Sequence, residues 1–166
     1  MIETERLVLK PFSYEDERVL SELFCDSDVK KTYLLPDFKD EDHLSKYFKR
    51  ICEMSNSGKY YLFGIYLKEN GELLGIINDT ERNEFESVEI GYALLPRYHN
   101  KGYATEAFCA LIQYLKGLGY KRVEAGAFEE NLASIRVMEK CGMTKMGRTE
   151  NLQYRGKEHT VVYYSV

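Results

Sequence analysis

The sequence predicts a mixed α/β fold of the α+β kind, in which an antiparallel half-sheet continues into a parallel strand–helix–strand unit. Segments in which apolar residues alternate with period two recur along the chain, and an Asn-Gly pair at residues 70–71 joins two of them as a hairpin. Two further strands, at residues 88–94 and 122–128, flank a segment with helical periodicity. Strands joined in this way run parallel with a right-handed crossover.

The stretch from Val88 to Ala107 contains the strongest pattern in the chain. Its first part is the strand, which ends before Pro96 because proline cannot donate a ladder hydrogen bond. The helix that follows has apolar residues three or four positions apart, and Gly119 ends it. The residues of this apolar face are Ala104, Ala107, Phe108, Leu111, Ile112, Leu115 and Leu118.

Before the hairpin, the sequence predicts one strand and two helices. The strand, with Leu7 and Leu9 on one side, is broken at Pro11. Ser13 is a good cap for the first helix, and Asp40 is a cap for the second, which ends at a polar segment containing Gly58.

The remaining elements are predicted to be strands and turns. Residues 60–67 and 73–78 form the hairpin, and the polar segment 80–86 is predicted to be a turn before the central strand. Residues 145–151 and 160–166 are predicted to be a hairpin-like pair at the end of the chain.

Length and charge limit the function. The 166 residues suit one domain, which we expect to span residues 1–166. The formal net charge of −4 argues against a nonspecific binder of nucleic acid or of anionic membranes. The N-terminus has no apolar signal region, and no apolar run is long enough to span a membrane, so we expect a cytoplasmic protein.

The four cysteines, Cys25, Cys52, Cys109 and Cys141, do not suggest a metal centre. They form no C-x-x-C pair and no ligand cluster with the three histidines, so no zinc or iron site is predicted. Cys109 falls in the apolar pattern of the central helix and is predicted to be a small core residue.

The loop between the central strand and the central helix is predicted to bind an anion. The first N–H groups of a helix lack internal partners and lie at its positive end. Gly102 lets an anion approach the backbone, and Arg97, Lys101 and His99 add positive charge, which suits a phosphate or pyrophosphate. Taken alone, such a unit is more often an ordinary turn with solvated bases.

The chain has neither G-x-x-x-x-G-K-S/T nor a G-x-G-x-x-G after a strand, so a kinase, NTPase or dinucleotide enzyme is not supported.

The run His99-Asn100-Lys101-Gly102-Tyr103-Ala104 resembles the pyrophosphate loop Q/R-x-x-G-x-G/A of the GNAT superfamily of acetyl-CoA-dependent N-acetyltransferases. His99 stands where glutamine or arginine is usual. The resemblance implies a GNAT fold, with a mixed central sheet of about six to seven strands flanked by about four helices. It also implies acetyl-CoA as the co-substrate. The cofactor-binding residues implied are Ala93, Leu94, Leu95, His99, Asn100, Lys101, Gly102, Tyr103, Ala104, Thr105, Asn131 and Ser134.

Three more segments resemble the Rim-type branch of this family, which acetylates ribosomal proteins. Residues 4–12 look like its opening, residues 88–92 look like its V-E-I-G-Y strand, and residues 131–143 look like its pattern N-x-x-S-x-x-V/L-x-E-K-x-G-F/M. In that branch the Asn and Ser positions meet the pantetheine and thiol end of coenzyme A. The resemblance implies the same roles for Asn131 and Ser134. Without the resemblance, the pattern indicates only an ordinary helix cap and a helix-surface residue.

Acetyl transfer to an amine needs a neutral amine, a stabilised oxyanion and a departing thiolate. Glu89 is the predicted general base, because partial burial on a sheet raises the pKa of a carboxylate; the alternative is a solvated charge that faces away. The oxyanion donor is predicted to be a backbone N–H near Ala93 or Leu94. By resemblance to the Rim-type branch, Ser134 is the predicted acid toward the sulfur.

Tyr33 and Phe38 lie between the first two helices, a region that helps to wall the acceptor pocket in this family; anchoring of the loop is an equal alternative. The leading hypothesis is an N-acetyltransferase that acts on a primary amine, either a protein N-terminus or a small molecule. The alternative is a non-catalytic acyl-CoA-binding sensor or regulatory module, and a third, weaker hypothesis is ATP binding at the same loop. We expect neither nucleic acid nor a membrane as a partner, and the sequence is compatible with a homodimer.

Overall fold

The computed structural model describes residues 1–83 and 85–166, and these contain one mixed sheet of eight strands. The strands are β1 (Ile2–Glu3), β2 (Leu7–Lys10), β3 (Phe63–Leu67), β4 (Leu73–Asn83), β5 (Ser87–Leu94), β6 (Arg122–Phe128), β7 (Thr144–Tyr154) and β8 (Lys157–Ser165). They lie in the order β1-β2-β3-β4-β5-β6-β8-β7. Every neighbouring pair is antiparallel except β5 and β6, which run parallel.

Helices connect and cover the sheet. They are α1 (Glu17–Cys25), α2 (Val29–Thr32), α3 (Glu41–Asn56), α4 (Tyr103–Gly117) and α5 (Leu132–Lys140). The predicted fold class is confirmed, with β5, α4 and β6 as the central βαβ unit. The described residues contain slightly more elements than predicted, because β1 has 2 residues and α2 has 4, which is too short for a periodic pattern to be visible in the sequence.

The core lies between the sheet and the apolar faces of the helices. Helix α4 buries most of its predicted apolar face, which packs against β5 and β6, whereas Leu118 follows the last residue of the helix and is exposed. Helices α1 and α3 pack on each other and bury Phe24 and Phe48 completely. Burial of such large side chains is worth roughly 1.5–3 kcal/mol each, which fixes the helices that surround the site.

The sheet opens at the centre. Strands β5 and β6 pair over three positions only, at Ser87, Val88 and Glu89 of β5, and then separate. Strand β6 continues alongside β8, while β5 stays paired with β4. The result is a cleft in the middle of the sheet, bounded by two strands whose facing backbone groups do not bond to each other.

Strand β4 is longer than predicted and contains a bulge. Its register against β5 shifts between Asp79 and Glu81, so that Thr80 is the extra residue opposite the start of the opening. The turn predicted over residues 80–86 is wrong at its beginning, because β4 continues to Asn83 as a polar strand whose outer positions are exposed to solvent. Glu84, which also belongs to that prediction, lies outside the described residues.

Cys109 was predicted to be a small core residue, but it is half-buried and is not a free thiol. Cys109 of α4 and Cys141, just after α5, form a disulfide with Cα atoms 5.2 Å apart and a sequence separation of 32. The two positions face each other where α4 packs on α5, a tertiary contact that local spacing does not reveal. Within the part of the chain that the structure describes, no group of three His, Cys, Asp or Glu side chains could hold a metal ion. None of the helices described has the length and apolar character needed to cross a membrane.

Candidate active site

Most of the predicted cofactor residues meet in one cleft of about 540 Å³, at the opening between β5 and β6. Strand β5, the start of α4, strand β6 and helix α5 each supply part of its wall. The predicted residues that line it are Ala93, Leu94, His99, Asn100, Gly102, Tyr103, Ala104, Thr105, Asn131 and Ser134. Leu95 and Lys101 are not in the wall: Leu95 is completely buried and donates its N–H to the Leu74 carbonyl at 2.9 Å, and Lys101 is exposed.

The start of α4 presents free backbone donors to this cleft. Gly102 is the N-cap residue and has a left-handed backbone (φ 81°), which a side chain would strain. Asn100 is left-handed too (φ 59°), so the loop turns twice before the helix. No side chain among the described residues caps α4, and its first N–H groups are therefore available to an anion.

A cluster behind the loop holds it in place. The Arg6 guanidinium donates to the Lys101 carbonyl at 3.0 Å and to a Glu106 carboxylate oxygen at 2.7 Å. The same carboxylate accepts from the Thr4 hydroxyl at 2.6 Å and from the Arg6 N–H at 2.8 Å. The segment before β2 is thus tied by three hydrogen bonds to Glu106, in the first turn of α4, and by a fourth to Lys101 of the loop.

The cations predicted near the loop are arranged differently from the expectation. The His99 Nε2 donates to the Leu94 carbonyl at 2.9 Å, and Arg97 pairs with Glu22 at 2.5 Å. In contrast, Arg136 and Lys140 of α5 line the cleft, and the sequence analysis did not single them out. Their i, i+4 spacing on a helix is the signal that could have placed both on one face.

The backbone of β5 points one donor into the opening. The Leu94 carbonyl faces away from β4, since it is the acceptor for His99. A Cβ built on Gly75 of β4 would lie 2.1 Å from the Ala93 oxygen, so the Ala93 carbonyl faces β4. Because the N–H and C=O of one strand residue point to the same side, the Leu94 N–H faces the opening and the Ala93 N–H faces β4.

Ser134 lies beside a tyrosine that the sequence analysis did not identify. Its hydroxyl donates to the Tyr92 hydroxyl at 3.5 Å, and its N–H donates to the Asn131 side chain at 3.2 Å, which confirms Asn131 as the cap of α5. Tyr92 packs edge-on against Phe108 of α4 at 5.5 Å. Burial raises the pKa of Tyr92, more than the hydrogen bond with Ser134 lowers it, so its hydroxyl keeps its proton.

Glu89 lines a second cavity, of about 290 Å³, that adjoins the cleft. The two cavities adjoin at the opening of the sheet, because their walls share Thr32, Tyr33, Ile90, Gly91 and Gly126. Burial raises the pKa of Glu89, and the Thr80 hydroxyl, which donates to its carboxylate at 3.1 Å, opposes that rise. A carboxylate in this state is a better base than a solvated one, and Glu89 lies in the second cavity, next to Ile90, which lines both cavities.

The two residues predicted for the acceptor wall have different positions. Tyr33 lies between the cavities and donates its hydroxyl to the Asn78 side chain at 2.7 Å. Phe38 is in neither wall: it stacks on Phe24 with ring centroids 6.4 Å apart and packs edge-on against Tyr47 at 5.3 Å. Its position is that of a loop anchor.

Comparison with known proteins identifies this arrangement. The sequence profile described as the acetyltransferase (GNAT) domain matches residues 6–144. The chain belongs to the GNAT acetyltransferase family. It is therefore an N-acetyltransferase, and the family predicted from the loop at Gly102 is confirmed.

Relatives and solved structures agree with this family. The uncharacterized N-acetyltransferase YnaD of Bacillus subtilis is 33% identical over 164 residues, which are 98% of this chain and 94% of that protein. The crystal structure of a GNAT-family acetyltransferase from Bacillus anthracis has a TM-score of 0.85 and 30% identity, covering 99% of this chain and 96% of that one. The ribosomal protein uS5-alanine N-acetyltransferase of Escherichia coli is 25% identical over 154 residues, 87% of this chain and 78% of that protein.

In this GNAT chain the site residues fall into two groups. The cleft with the free N–H groups of α4, the Leu94 N–H and the Ser134–Tyr92 pair forms one group, and the cavity with Glu89 forms the other. Solved structures that share the fold include complexes with coenzyme A or acetyl-CoA.

Proposed function

We propose that this chain transfers an acetyl group from acetyl-CoA directly to a primary amine, which is either a protein N-terminus or a small molecule. The observation that carries the proposal is that two cavities adjoin at the opening of β5 and β6, where they share wall residues. One has unpaired helix N–H groups that suit a pyrophosphate, and the other has the partly buried Glu89. A thioester held in the first cavity and an amine in the second would meet at the opening, and proximity alone supplies much of the acceleration.

Acetyl-CoA, the co-substrate, carries phosphates that suit the first cavity. The backbone N–H groups after Gly102 hold the pyrophosphate, because they lie at the positive end of α4. Arg136 and Lys140 supply positive charge from α5 to the remaining phosphate. Asn131 and Ser134 stand beside the thiol end of the carrier.

The chemistry then uses one side chain from each cavity. Glu89 removes a proton from the ammonium group of the acceptor, directly or through water, and the neutral amine attacks the thioester carbonyl. The Leu94 N–H donates to the oxygen as it becomes an oxyanion. As the C–S bond breaks, Ser134, hydrogen-bonded to Tyr92, donates a proton to the departing sulfur, and the second proton of the nitrogen returns to the Ser134 oxygen through water as the amide forms. No metal takes part in this scheme.

Substitution of Glu89 by glutamine tests the proposal. Loss of a general base lowers turnover by roughly 10²–10⁴-fold, whereas the Kd of acetyl-CoA should stay within about twofold, because the carrier lies in the other cavity. Glu69→Gln is the matched control, since Glu69 is an exposed carboxylate in the β3–β4 turn. Unchanged turnover in Glu89→Gln would remove Glu89 from the mechanism.

The raised pKa of Glu89 gives a second measurement. Because the pKa of Glu89 is higher in the folded protein than in the unfolded chain, the fold favours the protonated side chain. The free energy of unfolding is therefore highest below the unfolded pKa, and this contribution is lost as the pH rises through the folded pKa. Ionised Glu89 is therefore destabilising at neutral pH, and Glu89→Gln is expected to raise the Tm while it lowers turnover. A lower Tm at neutral pH would contradict the assignment of Glu89 as a partly buried base with a raised pKa.

The alternative is an acyl-CoA sensor without turnover. The presence of Ser134 and Glu89 in two adjoining cavities favours the enzyme. Release of free thiol from acetyl-CoA in the presence of an amine panel separates the two functions. Thermal stabilisation by ATP but not by acetyl-CoA would favour the third hypothesis of a nucleotide-binding protein.

The domain organisation, the branch of the family, the cellular location and the partners are also proposals. We infer one acetyltransferase domain over residues 1–166, a Rim-type relationship, a cytoplasmic location, and no nucleic-acid or membrane partner. The similarity to a ribosomal-protein acetyltransferase supports the Rim-type relationship. Homodimerisation stays a prediction, which size-exclusion chromatography with light scattering can check.

A further inference from the structure

The walls of the second cavity point to the chemistry of the acceptor. We propose that the acceptor is a small primary amine that carries an apolar or aromatic group and has no other charge. This inference rests on the proposed function, because it concerns the amine side of the same reaction.

Most of the cavity wall is apolar. Large apolar side chains come from helices α1 and α3, from strands β4 and β5 and from the residue before β3, namely Phe24, Tyr47, Ile51, Met54, Ile76, Ile90 and Leu62. Leu34 closes the wall from the loop before α3. An apolar group placed here gains roughly 25 cal/mol for each Å² that it removes from water.

The polar groups of the wall already have partners. Tyr33 donates to the Asn78 side chain at 2.7 Å, and Asn78 donates to the Asp79 carbonyl at 2.9 Å. The Asp79 carboxylate accepts from the Tyr61 N–H at 2.9 Å and pairs with Arg82 at 2.7 Å. Its side chain is only 5% exposed, so that it offers little to a ligand. Among the described lining residues, the remaining polar side chains apart from Glu89 and Thr80 are the neutral hydroxyls of Thr32, Tyr47 and Tyr60.

The charges of the wall exclude two classes of acceptor. No Lys, Arg or His is among the described lining residues, so the carboxylate of a free amino acid would be buried without a cation. An unpaired buried charge is strongly unfavourable. A polyamine needs a carboxylate for each further ammonium group, but Asp79 is already paired with Arg82, which leaves Glu89 alone for the reacting amine.

The size and the fixed wall favour a small molecule. The volume of about 290 Å³ lies at the lower end of the range for drug-sized ligands, roughly 300–1,000 Å³. The wall segment that begins at Tyr33 is tied to the β7–β8 turn: Tyr154 donates to the Tyr33 carbonyl at 3.1 Å, and Arg155 pairs with Asp37 at 2.5 Å. A preformed wall of this kind suits a compact acceptor.

The test is a comparison of acceptors that share one aromatic group. Phenethylamine and L-phenylalanine differ by a carboxylate, and the ammonium group of phenethylamine is not the more acidic of the two, so amine ionisation cannot produce the expected preference. We expect kcat/KM for phenethylamine to exceed that for phenylalanine by at least about tenfold, the equivalent of about 1.4 kcal/mol. Spermidine, and a peptide with an N-terminal phenylalanine, should also be poorer acceptors. A preference for any of these three would overturn the inference.

A variant can reverse the preference. Met54→Arg places a cation in the cavity wall and should raise kcat/KM for phenylalanine relative to phenethylamine by at least about tenfold. Glu53→Gln is the matched control, because it makes the same change in net charge at an exposed neighbouring position of α3. An unchanged ratio in a folded Met54→Arg variant would contradict the inference, and the wild-type comparison still decides it if this variant does not fold.

The same panel of amines distinguishes failure of the proposed acetyltransferase function from failure of the inference about the acceptor. If no amine releases thiol although acetyl-CoA binds, the proposed function fails. If thiol is released but charged acceptors are preferred, the acetyltransferase function stands and only the inference about the acceptor fails.

Discussion

Glu106→Gln tests whether the cluster behind the loop prepares the coenzyme site. Glu106 accepts hydrogen bonds from the Thr4 hydroxyl, the Arg6 N–H and the Arg6 guanidinium, while Arg6 also donates to the Lys101 carbonyl. Glutamine keeps the shape of the side chain but removes its charge. It also replaces one carboxylate oxygen by an NH₂ group, which cannot accept a hydrogen bond from Thr4 or Arg6. The loop would then lose its fixed connection to the start of α4.

The size of the effect follows from the type of contact. A hydrogen bond to a charged group is worth roughly 1.5–3 kcal/mol when it is buried. Because Arg6 is 44% exposed, solvent screens the ion pair, and we expect a loss of about 1–2 kcal/mol in the free energy of unfolding. If the ligand must then order the loop, at most the same free energy appears in binding, so the Kd of acetyl-CoA should rise by up to about 30-fold.

Calorimetric titration with acetyl-CoA and urea unfolding measure the two quantities. Glu3→Gln is the control, because it removes the same charge from a more exposed ion pair, that of Glu3 with Lys68 at 3.2 Å, which does not contact the loop. A Glu106→Gln variant that loses stability but binds acetyl-CoA within twofold of the wild-type affinity would refute the reasoning. It would mean that the cluster holds only the N-terminal segment.

The pH dependence of this contact has a defined sign. Burial tends to raise the pKa of Glu106, but the hydrogen bonds from Thr4 and Arg6 outweigh it, so the pKa lies below its ordinary value of 4.5. A lowered pKa stabilises the fold above the unfolded pKa, and this contribution is lost as the pH falls through the folded pKa. The affinity for acetyl-CoA should therefore not change through this contact near neutral pH, and should weaken only at acid pH.

Three further predictions follow from single contacts. Ser134→Ala should lower turnover less than Glu89→Gln, because a thiol with a pKa of about 8.5 leaves without much help; an equal or larger loss in steady-state turnover would contradict this order. Cys109→Ser removes a crosslink between positions 32 residues apart, which the chain-entropy model values at roughly 3–4 kcal/mol. Urea unfolding should show that loss under oxidising conditions and little loss with reductant, and a wild-type stability that does not respond to reductant would contradict it. Gly75→Ala would place a Cβ 2.1 Å from a backbone oxygen of β5 and should cost at least about 2 kcal/mol. Gly147→Ala, where a Cβ would meet nothing within 4 Å, is its control, and equal stabilities of the two variants would refute the argument.

Local patterns were sufficient to predict the central unit from the sequence. The alternation in β5 and the apolar face of α4 depend on neighbours within one or two turns, and Gly102 marks the junction because only glycine adopts its backbone conformation at low cost. Asn131 was recognised as a cap for the same reason, since its partner is the N–H three residues later. Such signals are complete within a short segment.

Contacts between distant segments were not visible in the same way. Arg6 and Glu106 meet across 100 residues, and Cys109 meets Cys141 only because α4 packs on α5. The bulge at Thr80 has no sequence signature, because a polar residue is equally compatible with a turn and with an exposed strand. Tyr92 was assigned to the strand correctly, but its partner on α5 depends on the packing of that helix.

The strength of the proposed base depends on the same opening of the sheet that forms the cleft. Glu89 is the last residue of β5 that pairs with β6, and its partner in the register is Glu124, also a carboxylate. Two like charges on adjacent strands would repel, but Arg122 and Arg148 contact Glu124 at 2.5 and 3.5 Å, and the charge of Arg148 also acts on Glu89. Burial and this carboxylate raise the pKa of Glu89, while the Thr80 hydroxyl of the bulge and Arg148 lower it. These opposing effects leave the pKa of Glu89 above its ordinary value, so that its carboxylate is a stronger base toward the amine than a solvated one; this tuning depends on the bulge, the opening and β7 together.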